Sequence, residues 1–144
     1  MRAALVAALV ISIGVSSSPG AADDGPGYVV IVHPRNDTTK LERKLLADIF
    51  LKKQTHWSDD STIKPVDQTR TSVVRNRFSQ DVIGRSVSSV RTYWNQVVFS
   101  GQGVPPPELE SDASVVKYVL GNQTAIGYVS PTAELKGAKI VQVK

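Results

Sequence analysis

TIKPVDQTRTSVVRNRF, residues 62–78, is the stretch from which the fold can be read. Ile63, Pro65 and Asp67 alternate with Lys64, Val66 and Gln68, the period of a short strand, weakened where Pro65 has no N–H to give a ladder. Thr69, Arg70, Thr71 and Ser72 follow as a loop rich in hydroxyls. From Val73 to Ile83 the apolar residues Val74, Phe78 and Val82 recur every four positions, which predicts a helix. A strand that passes through a short loop into a helix is the unit of an α/β layer domain.

The same loop carries the sharpest chemical signal. A helix leaves its first backbone N–H groups without intrahelical acceptors, and Thr71 or Ser72 is of the type that caps them. Those N–H groups, the positive end of the helix dipole and the guanidinium groups of Arg70 and Arg75 together favour an anion. Thr69, Arg70, Thr71, Ser72 and Arg75 are therefore the candidate ligand-binding residues. The same residue types also fit a plainer role, in which the hydroxyls cap the helix and the arginines solvate it.

Working outward, Tyr28 to Val32 is an unbroken run of β-formers, as in a strand covered on both faces. His33 and Pro34 end it. Thr39 followed by Glu42 resembles a capping box that opens an amphipathic helix over residues 41–51, with Leu41, Leu45, Leu46, Ile49 and Phe50 on one stripe. Trp57 reads as a packing anchor for the polar loop after it. Beyond the central helix, Gly84 and Arg85 break the chain and Ser86 can cap a helix with Val87, Val90, Tyr93, Trp94, Val97 and Val98 inward.

Residues 99–110 contain Gly101, Gly103 and three consecutive prolines, an extended connector. Ser111 can cap a helix over 112–120, and Gly121 with Asn122 can stop it. Residues 124–129 read as a buried strand whose Gly127 permits close backbone approach. Residues 139–143 alternate as a last strand near an edge. His33, Asn36 and Ser130 all follow strand ends and are expected on one edge of the sheet, where α/β folds receive ligands.

The first residues read as an export signal. Arg2 gives a basic start, Ala3 to Val15 is apolar, and Ser16 to Ala22 is small and polar. About 13 apolar residues are too few to cross a ~30 Å hydrocarbon core as a helix but fit a signal peptide. Residues 1–22 are thus expected to be removed, with 23–27 a short leader and 28–144 a single α/β domain. The export signal implies a periplasmic location, with no membrane span once it is cleaved.

Several classes are disfavoured. The chain has no cysteine, so it holds neither a disulfide framework nor a thiolate metal cluster. The net charge of +4 comes from basic residues scattered along the length, which does not describe a nucleic-acid face. His33 and His56 lack metal-ligand spacing, and no serine sits in a nucleophile elbow, so no catalytic residue is assigned and an enzyme is not expected. The pairs Asp59 and Asp60, and Glu108 and Glu110, read as solvated. No cofactor is implied.

Taken in order, Asp48-Ile49-Phe50-Leu51 with Trp57, Val66-Asp67 before a helix bearing Arg75 and Phe78, Phe99-Ser100-Gly101, and Ala125-Ile126-Gly127-Tyr128-Val129 resemble the phosphate-type periplasmic substrate-binding proteins of bacterial ABC importers. The resemblance implies one lobe of a type 2 periplasmic-binding-protein-like fold, a mixed sheet flanked by helices. In that family two lobes close over phosphate, held by hydroxyls, helix-start N–H groups and an arginine. The family's Arg-x-Asp-x-Ser-Gly-Thr loop falls on Gln68, Arg70, Ser72, Val73 and Val74, of which only Ser72 matches. The expected function is binding of phosphate or a similar oxyanion, with a second copy or another envelope protein completing the cleft. The alternative is an envelope protein-interaction module that keeps the lobe and drops the ligand.

Overall fold

The structure, a computed structural model, describes residues 25–144. The expected signal peptide and the first leader residues lie outside them. The apolar run at the start of the domain becomes β1 (Val29–Val32), which takes the centre of a five-stranded sheet. It pairs antiparallel with β6 (Ala125–Val129) on one side and with β7 (Lys139–Val143) on the other. The short strands β2 (Lys40–Leu41) and β3 (Lys64–Pro65) run parallel to β7 and β6 and close the two edges, giving the order β2-β7-β1-β6-β3. The sheet is mixed, as expected. β7 lies one strand in from the edge because β2, within the segment read as leading into a capping box, covers it.

Alternation along β1 divides the core. Val30 and Val32 face a cluster with Leu46, Ile49 and Phe50 of α1 (Arg43–Phe50) and with Phe78 and Val82. Ile31 and Val129 face Val115, Val116 and Val119 of α4 (Asp112–Gly121). At Gly127 a β-carbon would lie 2.7 Å from Val115 Cγ1 and 2.9 Å from Val66 Cγ1, so the glycine is what lets α4 approach the sheet. The capping box does not form. Glu42 itself is the N-cap of α1, without a side-chain cap, because Lys40 and Leu41, which the box needs in the helix, are held in β2, beside which the Thr39 carbonyl accepts from Gln142 N at 2.9 Å.

The decisive stretch changes partner halfway. Lys64–Pro65 lies on the sheet edge, where a missing N–H costs least, and Val66 N still donates to Ile126 O at 2.9 Å. At the next residue the chain turns into β4 (Asp67–Gln68), which pairs parallel with β5 (Glu108–Leu109) in a separate two-stranded sheet. The expected helix runs as α2 (Val73–Phe78) and then widens into a π-helical turn, Ser79–Ile83, ended by Gly84 at φ 71°. Phe78 stacks on Tyr128 at 3.9 Å between ring centroids and meets Phe50 edge-on at 4.7 Å. α3 (Val87–Phe99) buries Val87, Val90 and Trp94, but its stripe ends early: Val98 and Phe99 face solvent. Trp57 pins its loop by donating Nε1–H to Thr124 O at 3.0 Å.

Candidate functional site

The loop predicted to meet an anion rests on a buried polar scaffold at the end of β4. Asp67 is 4 % exposed and accepts from the hydroxyl of Tyr128, while Arg75, 3 % exposed, places Nη1 3.1 Å from Asp67 Oδ1. The same nitrogen donates to Gln68 O at 2.5 Å and reaches Glu108 Oε1 at 3.3 Å. Burial pushes Asp67 up to about 6, and the Arg75 charge beside it offsets only part of that. Tyr128 is raised well above the ordinary phenol range, first by its own burial and then by the Asp67 charge.

This geometry places two charged residues around the buried carboxylate. Arg75 turns inward, because a carboxylate out of water demands a counter-charge and Arg75 supplies it. Glu108, read as solvated, is exposed, and through the β4–β5 pairing it also reaches the same guanidinium at 3.3 Å. Ser72 is the N-cap of α2 and accepts from Arg75 N at 3.2 Å, while its hydroxyl donates to Gln68 Oε1 at 2.7 Å. Thr69 is half-buried, with its N–H on Leu109 O at 3.1 Å and its carbonyl accepting from Ser72 N at 3.0 Å.

Arg70 and Thr71 face outward. They share an open groove of about 460 Å³ with Asn76 of α2 and with Ser86, Ser88 and Arg91 at the start of α3. Among the described residues neither Arg70 nor Arg91 has a carboxylate within ion-pair distance. Sequence reasoning found half of this groove and missed the α3 side. The signal was there: Ser88 and Arg91 are three apart, helix neighbours at the flank of the apolar stripe beside Val87.

Gln68 and Ser130 close the far side of the scaffold, where Asp112 at the start of α4 accepts from both. His33 and Asn36 are not on this edge. β1 runs antiparallel to β6, so the end of β1 lies at the opposite end of the sheet from Ser130. There Asn36 lines a separate cleft with Trp57, Asp59 and Ser61. Among the described residues no group of three His, Asp or Glu is placed to hold a metal ion, and no helix is long and apolar enough to cross a membrane.

Residues 25–143 match the family model of the PBP superfamily domain. Among solved structures the chain is similar to a putative phosphate ABC transporter substrate-binding protein with bound phosphate from Clostridium perfringens. The identity is 24 % and the TM-score 0.65, over 81 % of this chain and 44 % of that one. An ABC-type phosphate transport receptor from Vibrio cholerae is 22 % identical with a TM-score of 0.64, over 81 % and 46 %. A possible phosphate binding protein from Planctomyces limnophilus is 16 % identical with a TM-score of 0.61, over 82 % and 41 %. The chain thus spans less than half the length of these structures, and the likeness at such identities is one of fold. No curated protein matches.

Proposed function

The chain belongs to the PBP superfamily domain family, and from that premise we propose that it is an exported, extracytoplasmic oxyanion-binding lobe of the kind used by ABC importers, receiving phosphate or a similar anion in the groove between α2 and α3. The observation that carries this reading is the pair of outward guanidinium groups, Arg70 and Arg91, facing one groove without a carboxylate partner among the described residues. Arg70, Thr71, Asn76, Ser86, Ser88 and Arg91 are the contacting residues. Thr69, Ser72 and Arg75 hold the loop that presents them.

An open groove leaves most of an anion in water, where an exposed ion pair contributes about 1 kcal/mol or less. Binding by this chain alone is then weak, with a Kd on the order of tens of mM. A second copy or another envelope chain would supply the opposite wall. Titration of the labelled protein with phosphate and with sulfate, followed by amide shifts, tests this. Saturable shifts at Thr71 and Ser88 that vanish in Arg70→Ala/Arg91→Ala are expected, and shifts that persist in the double variant refute it.

One observation favours a second reading, a protein-interaction module. Phe99 is 96 % exposed, with Val98 and Val104 also open to solvent nearby in the chain. Exposed apolar side chains at and beyond the end of a helix are what a partner surface covers.

A further inference from the structure

At the carboxyl ends of β4 and β6 three donors converge on one carboxylate. Gln68 Nε2 lies 2.9 Å from Asp112 Oδ1, the Ser130 amide donates to the same oxygen at 3.1 Å, and the Ser130 hydroxyl donates to Oδ2. The glutamine is fixed: it is 3 % exposed, its Nε2 also donates to Tyr128 O at 3.0 Å, and its Oε1 accepts from Ser72. The donor set is neutral, and among the described residues Asp112 has no ion-pair partner, so its charge is met by oriented N–H and O–H groups alone. Fixed neutral donors aimed at one charged group are what an anion receptor consists of.

We infer that Gln68 and Ser130 form a receptor for a small carboxylate or a tetrahedral oxyanion, and that the chain fills it with its own Asp112 side chain as a tethered anion. The position is the one from which α/β folds receive ligands, just beyond the carboxyl ends of strands. Asp112 also lines one end of the 560 Å³ cleft that runs along α4 over Ala113, Val116 and Leu120, so on this inference its side chain is what stands between that cleft and the donors. While Asp112 is seated, a second anion meets satisfied donors and a like charge. The Arg70 and Arg91 groove, which does not include these residues, is left as the place where a free anion is attracted. This inference stands apart from the proposed function, since it concerns different donors and can fail while that groove binds.

The test is chemical rescue with formate, at constant ionic strength against chloride, in the wild type and in Asp112→Ala and Asp112→Asn. Asp112→Ala is expected to melt lower than wild type. Formate at ten times its half-saturating concentration should raise that melting temperature by about 5 °C, with a saturable shift of the Ser130 amide. Wild type and Asp112→Asn, whose sites remain filled, should show neither response. If Asp112→Ala does not fold in chloride, refolding on addition of formate is the expected result, and a chain that stays unfolded overturns the inference. An equal formate response in wild type and Asp112→Ala, or no movement of the Ser130 amide, also overturns it.

Discussion

Replacing Arg75 by methionine removes the counter-charge of a buried carboxylate and keeps most of the side-chain volume. Three contacts are lost: to Asp67 Oδ1 at 3.1 Å, to Glu108 at 3.3 Å and to the Gln68 carbonyl at 2.5 Å. The cost depends on pH, and its sign follows from Asp67. Burial lifts that group from 3.8 to about 6 in the folded chain, so protonation favours folding. The corresponding stability, about 3 kcal/mol, is fully present below about pH 4 and is lost as the pH climbs to about 6. Near pH 4.5 Asp67 is largely protonated with or without Arg75, and the variant loses mainly the hydrogen bond to Gln68 O, about 1–3 kcal/mol. Near pH 8 it also strands a buried carboxylate, and the loss grows to about 3–5 kcal/mol. Urea unfolding followed by circular dichroism at the two pH values measures the difference, expected to be about 2 kcal/mol. A loss of equal size at both pH values, or a larger one in acid, would show that Arg75 does not neutralise Asp67 and would refute the scaffold described for the site.

Gly127→Ala places a methyl group against Val115 and Val66, both fully buried, and should cost about 1–3 kcal/mol, read as a lower urea midpoint with unchanged slope. Tyr28→Phe deletes the hydroxyl that donates to Asp81 and should cost about 1 kcal/mol in the same assay. Phe99→Ser should change stability by less than about 0.5 kcal/mol, since the ring is already in water, while reducing any self-association seen by sedimentation velocity.

The layers of the fold were legible because their signals are local. A short run of β-branched Val and Ile bounded by turn residues reads as a strand covered on both faces, and the four-residue recurrence of Val74, Phe78 and Val82 survives the π-helical turn because both Phe78 and Val82 still reach the core. What was lost is non-local. β2 is two residues long and exists only because β7 offers an edge, and the switch of residues 64–68 from one sheet to another depends on β5, some forty residues later. The sense of β1 against β6 was equally invisible, and it alone decides that His33 and Ser130 lie at opposite ends of the sheet.

The site was half legible for the same reason. Residue types at 69–75 announce anion chemistry, but which way each guanidinium turns is set by what lies beneath it. Asp67 has a sequence neighbourhood that looks like any strand end. Its burial comes from Tyr128, sixty-one positions on, and once that carboxyl is out of water Arg75 is the nearby cation that can follow it inward. Arg70 has no such call on it and stays at the surface beside Arg91. Gln68 has a physical reading in the same network. A neutral amide at that position is matched to the carboxylate of Asp112 through a 2.9 Å hydrogen bond and, unlike a guanidinium, accepts the hydroxyl of Ser72 with its other end. The result is an internal, satisfied junction at the strand ends, with the outward side chains of Arg70 and Arg91 at the neighbouring groove between α2 and α3.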